Sequence, residues 1–205
     1  MISSSEALTR LQEGNKRFVT GVRSVETMAS QTQRTNLASG QNPFAIILGC
    51  SDSRVPAEIV FDQGLGDLFV IRVAGNIVAP SQVGSVEFAA EQFGTPLVVV
   101  LGHTSCGAVQ ATISQLTNPS TGGSANITSI VNRIKPAVQP LFDTDLRNHP
   151  ERLMESAIKA NIRAAANHLR HGSQVLEQLI EKGDLAVVGA EYSLETGEVE
   201  FFDGV

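Results

Sequence analysis

The sequence predicts an α/β fold with a mainly parallel central sheet of four strands plus an edge strand, flanked by helices and preceded by an N-terminal helical arm. Short apolar runs rich in β-branched residues alternate with segments of helical periodicity, which is typical of strands that pair in parallel. Glu195, Thr196 and Gly197 separate the last two apolar runs as a hairpin turn. The final strand is therefore expected to be an antiparallel edge.

The predicted elements follow one another along most of the chain. The predicted strands are 45–49, 68–73, 97–101, 185–190 and 199–202. The predicted helices are 5–19, 80–93, 107–116 and 150–171, with a short helix or turn within 55–63. A further helix begins near Ile127 and is expected to be interrupted at Pro136, and Ser173 is expected to cap the last helix. Residues 21–42 are polar and are predicted as a loop with room for one short helix.

Length and composition indicate one domain. A chain of 205 residues with 42% hydrophobic residues can bury a substantial core without splitting into two. We expect residues 1–42 to form the N-terminal arm and loop, and residues 43–205 to form the α/β core. The net charge of -6 argues against nucleic acid or an anionic membrane as a partner, because both attract concentrated positive charge. The N-terminal sequence lacks the apolar segment of a secretory signal, so a cytoplasmic location is expected.

The first candidate functional motif directly follows the predicted strand 45–49. Cys50, Asp52 and Arg54 occupy every second position after Gly49. If the backbone stays extended there, these three side chains point to the same side. A thiol, a carboxylate and a guanidinium would then share one small volume.

The second motif repeats this arrangement about fifty residues later. The predicted strand 97–101 is followed by Gly102, His103 and Cys106. A histidine and a cysteine three positions apart can bind one cation, and Cys50 supplies a third ligand of the kind that zinc prefers. If the two strands are neighbours in the sheet, the candidate residues of both motifs meet at its carboxyl edge, where α/β proteins bind ligands.

Each of these residues also has an ordinary structural interpretation. Cys50 and Cys106, the two cysteines of the chain, would then be small buried hydrophobic residues or a disulfide in an exported protein. Asp52 and Arg54 would be a surface ion pair, and His103 a hydrogen-bonded structural group. The metal site is favoured because the ligand types recur at short offsets in glycine-flanked loops beyond strand ends.

Two other features are assigned no function. Gly64 and Gly66 precede a strand, and no third glycine opens a helix after them, so they do not form a dinucleotide-binding motif. His149, His168 and His171 lie in or beside one predicted helix and are interpreted as exposed helical residues.

The two motifs together resemble the signature of the β-class carbonic anhydrases, which are zinc enzymes that interconvert carbon dioxide and bicarbonate. The resemblance covers nearly the whole chain, from LQEGNKRF near the N-terminus to the last strands, and it is greatest to bacterial members. It implies that Cys50, His103 and Cys106 bind Zn²⁺ and leave one position open for water. Zinc-bound hydroxide would then attack carbon dioxide.

The resemblance also implies roles for Asp52 and Arg54 in catalysis. Arg54 keeps Asp52 ionised, and the carboxylate either accepts a hydrogen bond from the zinc hydroxide or binds zinc itself in a closed state. Members of the family show both arrangements. Because two thiolates offset the charge of Zn²⁺, the bound water should be less acidic than at an all-histidine site, and hydration should increase with pH through and above neutrality.

The substrate pocket is expected from the resemblance to contain Gln41, Phe69, Phe88 and Gly107. Gln41 would donate a hydrogen bond to carbon dioxide or bicarbonate, and the two phenylalanines would form apolar walls. Phe88 stands where some relatives carry tyrosine. The alternative interpretation of both phenylalanines is plain core packing.

Some members of the family also have an inhibitory bicarbonate pocket built from tryptophan, arginine and tyrosine. Arg72 and Tyr192 are at matching places here, but Ile47 stands where the tryptophan would be, and the chain has no tryptophan. That version of the inhibitory site is therefore not expected.

The resemblance implies a homodimer or a dimer-based tetramer, with the active cleft lined by two subunits and the N-terminal arm reaching over the partner. Two alternative functions are consistent with the same residues. One is hydrolysis of carbon disulfide or carbonyl sulfide, which relatives of the same fold perform with the same ligands. The other is a noncatalytic protein that binds bicarbonate and is stabilised by a structural zinc ion, with Asp52 as the fourth ligand.

Overall fold

The structure is a computed structural model of the chain and describes residues 2–24, 31–121 and 123–205. The described residues form one sheet of five strands. The strands are β1 (Ala45–Gly49), β2 (Leu68–Arg72), β3 (Leu97–His103), β4 (Ala186–Tyr192) and β5 (Val199–Asp203). Both β3 and β4 extend two residues beyond their predicted ends.

The sheet has the strand order β2-β1-β3-β4-β5. The first four strands in this order are parallel, and β5 is antiparallel to β4. The predicted sheet, with its antiparallel edge, is therefore confirmed. Gly49 at the end of β1 pairs with Arg72 of β2 and with Leu101 of β3, so the carboxyl ends of these strands lie together.

Two hydrophobic clusters cover the two faces of the sheet. Ile46 and Leu48 of β1 belong to one cluster, whereas Ile47 belongs to the other, as the two-residue repeat of a strand requires. All three side chains are fully buried. Burial on both faces explains why the strands have continuous apolar sequences.

The helices of the described residues pack on both faces. They are α1 (Ser4–Val19), α2 (Gln31–Leu37), α3 (Ala57–Val60), α4 (Pro80–Phe93), α5 (Gly107–Thr117), α6 (Ala125–Phe142), α7 (Pro150–His171) and α8 (Gln174–Glu181). Helices α1 and α3 contribute buried residues to the cluster of Ile47, and α4 to α8 contribute buried residues to the cluster of Ile46 and Leu48. Within the described ranges, no helix combines the length and the apolar character needed to cross a bilayer.

Side-chain hydrogen bonds cap the starts of two helices, and at Ser173 the cap is the predicted one. Ser3 and Glu6 form a capping box at the start of α1, and Ser173 accepts a hydrogen bond from the Leu176 N–H at the start of α8. Helix α2 is a short helix within the predicted loop 21–42, as the sequence prediction allows, and residues 25–30 of that loop lie outside the described residues.

Helix α1 packs against the sheet of its own chain. The expectation that the N-terminal arm reaches over a partner subunit stays a prediction. Ala7 and Leu11 are fully buried in the cluster that contains the β1 residue Ile47. The Asn15 amide donates a hydrogen bond to the Val60 carbonyl at 3.1 Å. The buried face of α1 is thus covered within the chain itself.

Helix α6 continues through Pro136 and Pro140, so the predicted interruption at Pro136 is wrong. Each proline lacks an N–H and removes one helical hydrogen bond. Val131, Ile134 and Val138 on the inner face of this helix are buried. Burial of this stripe against the core stabilises the helical path despite the missing bonds.

Candidate metal centre

Three ligand-type side chains converge at the carboxyl edge of the sheet. Cys50 directly follows β1, His103 is the last residue of β3, and Cys106 is the N-cap residue of α5. Their candidate ligand atoms all lie within 4.8 Å of one another. The side chains are nearly inaccessible to solvent, with exposed fractions of 5%, 0% and 1%. The predicted convergence of both motifs is therefore observed in the structure.

The loop from His103 to Cys106 is held so that the second cysteine returns towards the histidine. The Thr104 N–H donates a hydrogen bond to the Tyr192 carbonyl at 3.0 Å, and its hydroxyl accepts one from the Leu194 N–H at 3.0 Å. Ser105 has a φ of 57°, a left-handed conformation that is uncommon for a residue with a side chain. This tight turn brings Cys106 to the side of the sheet edge where Cys50 and His103 lie.

The imidazole of His103 has one nitrogen that is available for a metal. Its Nδ1 lies 2.9 Å from the Thr104 carbonyl oxygen, which can only accept a hydrogen bond, so Nδ1 carries the proton. Nε2 is then a lone-pair donor, and it is buried without a hydrogen-bond partner among the described residues. A buried nitrogen of this kind, beside two sulfurs, fits a cation-binding site.

The thiols of Cys50 and Cys106 interact strongly with each other. The hydrogen bond from the Cys106 thiol lowers the pKa of Cys50 despite the opposing effect of burial, and the nearby His103 lowers it further. The pKa of Cys106 is raised, first because its proton is engaged by Cys50 and then because it is buried. Burial acts to lower the pKa of His103, but the Cys50 thiolate beside it raises the pKa overall. Cys50 and Cys106 therefore share one proton, which a bound divalent metal would release.

Asp52 and Arg54 are brought together by a turn and not by an extended backbone, which corrects the expectation from their alternate spacing. The Val55 N–H bonds the Asp52 carbonyl at 3.0 Å, so the chain turns directly after the first cysteine. Arg54 then donates hydrogen bonds to Asp52 from Nε, at 2.9 Å, and from Nη2, at 2.8 Å. A third bond comes from the Arg54 backbone N–H at 3.0 Å.

The carboxylate of Asp52 lies beside the three ligand-type residues. Its Oδ2 is 3.9 Å from Nε2 of His103. The hydrogen bonds from Arg54 hold the pKa of Asp52 well below its usual range, so the carboxylate is ionised throughout the neutral range. An ionised acceptor is thus located next to the point where the two sulfurs and the imidazole converge.

Arg72 has a role that the sequence did not reveal. Its Nε donates a hydrogen bond to the Cys50 carbonyl at 3.0 Å, and its Nη2 donates one to the Asp52 carbonyl at 2.6 Å. The guanidinium therefore fixes the backbone on both sides of Ser51. An arginine at the end of an otherwise apolar strand was the available signal, but the sequence could not identify its backbone partners.

The residues predicted to contact substrate are located in different elements. Phe69 of β2 is partly buried, and Phe88 of α4 is 52% exposed. Their ring centroids are 6.2 Å apart, so these two predicted wall residues are neighbours. Gly107 is exposed at the start of α5, and Gln41 is exposed in the segment that precedes β1. Their roles towards substrate remain predictions.

Comparison with known sequences identifies relatives over nearly the full chain. The sequence pattern that defines the family described as carbonic anhydrase matches residues 45–199. Carbonic anhydrase 2 of Mycobacterium tuberculosis is 40% identical over 195 residues, which cover 95% of this chain and 91% of the relative. The carbonic anhydrase of Mycolicibacterium smegmatis is 38% identical over 190 residues, covering 93% and 89% of the two chains.

Solved structures give the same result. The β-carbonic anhydrase CcaA has a TM-score of 0.73 and 28% identity, with 96% of this chain and 95% of that chain covered. A structure described among two tetrameric β-carbonic anhydrases from Sordaria macrospora has a TM-score of 0.72 and 25% identity, with coverages of 82% and 85%. Because family pattern, relatives and fold agree, the chain belongs to the carbonic anhydrases, as a bacterial member of their β class.

Proposed function

We propose that this protein catalyses the reversible hydration of carbon dioxide to bicarbonate and a proton, with one Zn²⁺ ion held by Cys50, His103 and Cys106. The observation that carries the proposal is the unpartnered Nε2 of His103, buried with two cysteine sulfurs in a group that spans no more than 4.8 Å. Membership of the carbonic anhydrase family supports the same activity.

The donor set fits zinc. Two thiolates and one imidazole are ligands that zinc prefers, and three protein ligands leave a fourth tetrahedral position for water. Zinc bound there would lower the pKa of that water towards about 7 and so supply hydroxide near neutral pH. The Cys50 and Cys106 thiolates contribute two negative charges that offset the charge of the ion. We therefore expect hydration to increase with pH through and above neutrality.

Asp52 would orient the nucleophile. Its ionised carboxylate, 3.9 Å from Nε2 of His103, can accept a hydrogen bond from the attacking oxygen. That bond would direct a lone pair of the oxygen towards the carbon of carbon dioxide. Arg54 would act on Asp52, because its hydrogen bonds occupy both carboxylate oxygens and keep them from binding the metal.

Four further residues would contact substrate. Phe69 and Phe88 offer an apolar wall suited to carbon dioxide, which carries no net charge. Gln41 and Gly107 would contact the oxygens of carbon dioxide or bicarbonate. The active cleft would be completed by a second subunit in a homodimer or a dimer-based tetramer, and the tetrameric description of the Sordaria macrospora relatives supports such an assembly.

The direct experiment combines zinc analysis with stopped-flow hydration of carbon dioxide. We expect one zinc ion per chain, loss of activity when zinc is removed, and recovery when zinc is restored. Zinc without hydration activity would favour the noncatalytic bicarbonate-binding alternative, in which Asp52 closes the site. Hydrolysis of carbon disulfide or carbonyl sulfide without hydration of carbon dioxide would replace the proposed substrate.

A further inference from the structure

The sulfur of Cys50 accepts a hydrogen bond from the protein backbone. The Gly75 N–H donates to Cys50 Sγ at 3.4 Å, in buried surroundings. Gly75 lies in the 3-10 turn Ala74–Asn76, which follows β2, and has a φ of 70°. A hydrogen bond to a thiolate stabilises its negative charge and limits the positions that the sulfur can take. The position of Gly75 therefore matters for a metal bound to that sulfur.

The turn that carries Gly75 is tied to the strand that carries Cys50. The Val73 N–H donates to the Gly49 carbonyl at 3.1 Å, and the Asn76 N–H donates back to the Val73 carbonyl at 3.0 Å. These hydrogen bonds fix the Asn76 N–H, which is one side of the peptide group between Gly75 and Asn76. The other side of that peptide group is the Gly75 carbonyl.

A side chain from a distant helix holds that carbonyl. Asn161 of α7 is 4% exposed, and its Nδ2 donates to the Gly75 carbonyl at 2.9 Å in a fully buried hydrogen bond. A Cβ atom on Gly75 would lie only 2.7 Å from Ile134 Cδ1 and 2.9 Å from Ala108 Cβ. Packing and the Asn161 amide thus confine Gly75 together.

We propose that Asn161 is a positioning residue for the metal centre. By holding the Gly75 carbonyl it keeps the Gly75 N–H on Cys50 Sγ, and so raises the affinity of the site for zinc and sets the electron donation of this thiolate. The inference rests on the proposed zinc-dependent function. It assigns to α7, which supplies no ligand, a direct influence on the metal.

The test compares the wild-type protein with Asn161→Leu and Asn161→Ser. Leucine has a similar size and lacks the amide donor. Serine is smaller and gives a second variant with less steric risk. The matched control is Asn15→Leu, because Asn15 is also a buried amide bonded to backbone groups, but it lies on α1 away from the metal centre.

Two measurements separate positioning from general stability. Competition with a chromophoric chelator gives the zinc dissociation constant, and absorption of the cobalt-substituted protein reports thiolate-to-cobalt charge transfer. We expect both Asn161 variants to raise the dissociation constant by about 10-fold or more and to shift the charge-transfer band. Asn15→Leu should lower the melting temperature while leaving the dissociation constant and the band unchanged.

Unchanged zinc affinity and an unchanged band in folded Asn161→Leu would overturn the inference, as would equal changes in Asn15→Leu. If Asn161→Leu does not fold, the same readouts on Asn161→Ser decide the matter. A wild-type protein that binds no zinc would overturn the proposed function and this inference together. Normal zinc binding by wild type with unaltered variants would overturn the inference alone.

Discussion

The guanidinium of Arg54 donates two parallel hydrogen bonds to the carboxylate of Asp52, with Nε 2.9 Å from Oδ1 and Nη2 2.8 Å from Oδ2. This two-point geometry fixes the plane of the carboxylate as well as its position. The Arg54 side chain is 57% exposed, so the pair contributes little to stability. Its importance lies in the orientation of Asp52 beside the three ligand-type residues.

Replacement of this carboxylate tests its role directly. Asp52→Asn should retain zinc but lose hydration activity by at least about 100-fold, because an uncharged amide is a poor acceptor for the proton of the nucleophile. Zinc analysis and stopped-flow hydration measure the two properties separately. Asp67→Asn, which alters an aspartate paired with Arg10, is the control and should keep wild-type activity. Full activity in Asp52→Asn would remove Asp52 from the mechanism.

The two-point contact predicts that charge alone cannot replace Arg54. Arg54→Lys keeps the positive charge but loses the planar fork, so hydration should fall by about 10- to 100-fold while zinc content stays at one per chain. The exposed residue Arg147 provides a matched Arg→Lys control that should leave activity unchanged. Wild-type hydration rates in Arg54→Lys would show that the planar guanidinium is not needed to orient the Asp52 carboxylate.

The lowered pKa of Asp52 predicts how its ion pair contributes to stability at different pH values. The folded pKa lies below the unfolded value of about 3.9, so the contribution is present above that value and is lost as the pH falls below it towards the folded pKa. The difference in unfolding free energy between wild type and Arg54→Gln should be constant from about pH 5 to pH 8 and shrink below about pH 4. Urea denaturation of both proteins, freed of zinc, measures it. A difference that grows on acidification would contradict the prediction.

Loss of a ligand should abolish stoichiometric zinc binding. Cys50→Ser removes a thiolate, and His103→Gln removes the available Nε2, so neither variant should retain zinc through dialysis against a weak chelator. His171→Gln changes an exposed histidine at the end of α7 and should bind one zinc ion per chain. Elemental analysis of the dialysed proteins gives the result. Stoichiometric zinc in His103→Gln would show that this imidazole is not a ligand.

The packing of α1 on its own sheet predicts a large effect of truncation at Leu11. This side chain is fully buried, so Leu11→Ala should lower the unfolding free energy by about 2–5 kcal/mol. Val22→Ala, at a residue that is 63% exposed, should change it by less than about 0.5 kcal/mol. Denaturant unfolding compares the two variants. If Leu11→Ala lowers the free energy of unfolding as little as Val22→Ala does, α1 contributes no core contact in solution.

The sequence predicted the convergence of Cys50, His103 and Cys106 because the positions of these residues depend on strand ends. Once two parallel strands are neighbours, residues directly after them must lie at the same edge, and Gly49 does pair with Leu101. The Asp52 turn was missed although a local signal existed, since an aspartate oxygen often bonds the N–H two residues later, as it does here with Arg54.

Contacts between distant segments could not be predicted in the same way. Asn161 and Gly75 are 86 positions apart, and the sequence predicts the helix that carries Asn161 without indicating the partner of this side chain. The expectation that a proline interrupts a helix failed at Pro136, because burial of the inner face of α6 outweighed the loss of one backbone hydrogen bond.

The proposed zinc site also links the stability of the fold to the supply of the metal. Nε2 of His103 is buried and has no hydrogen-bond partner within normal geometry among the described residues, although the nearby Cys50 thiolate raises the pKa of the imidazole. On the proposed function, zinc binds the folded chain alone, so each tenfold increase of free zinc above the dissociation constant would add about 1.4 kcal/mol to the free energy of unfolding. The same proposal implies that a cell short of zinc would hold a protein that is inactive and also more easily unfolded and degraded.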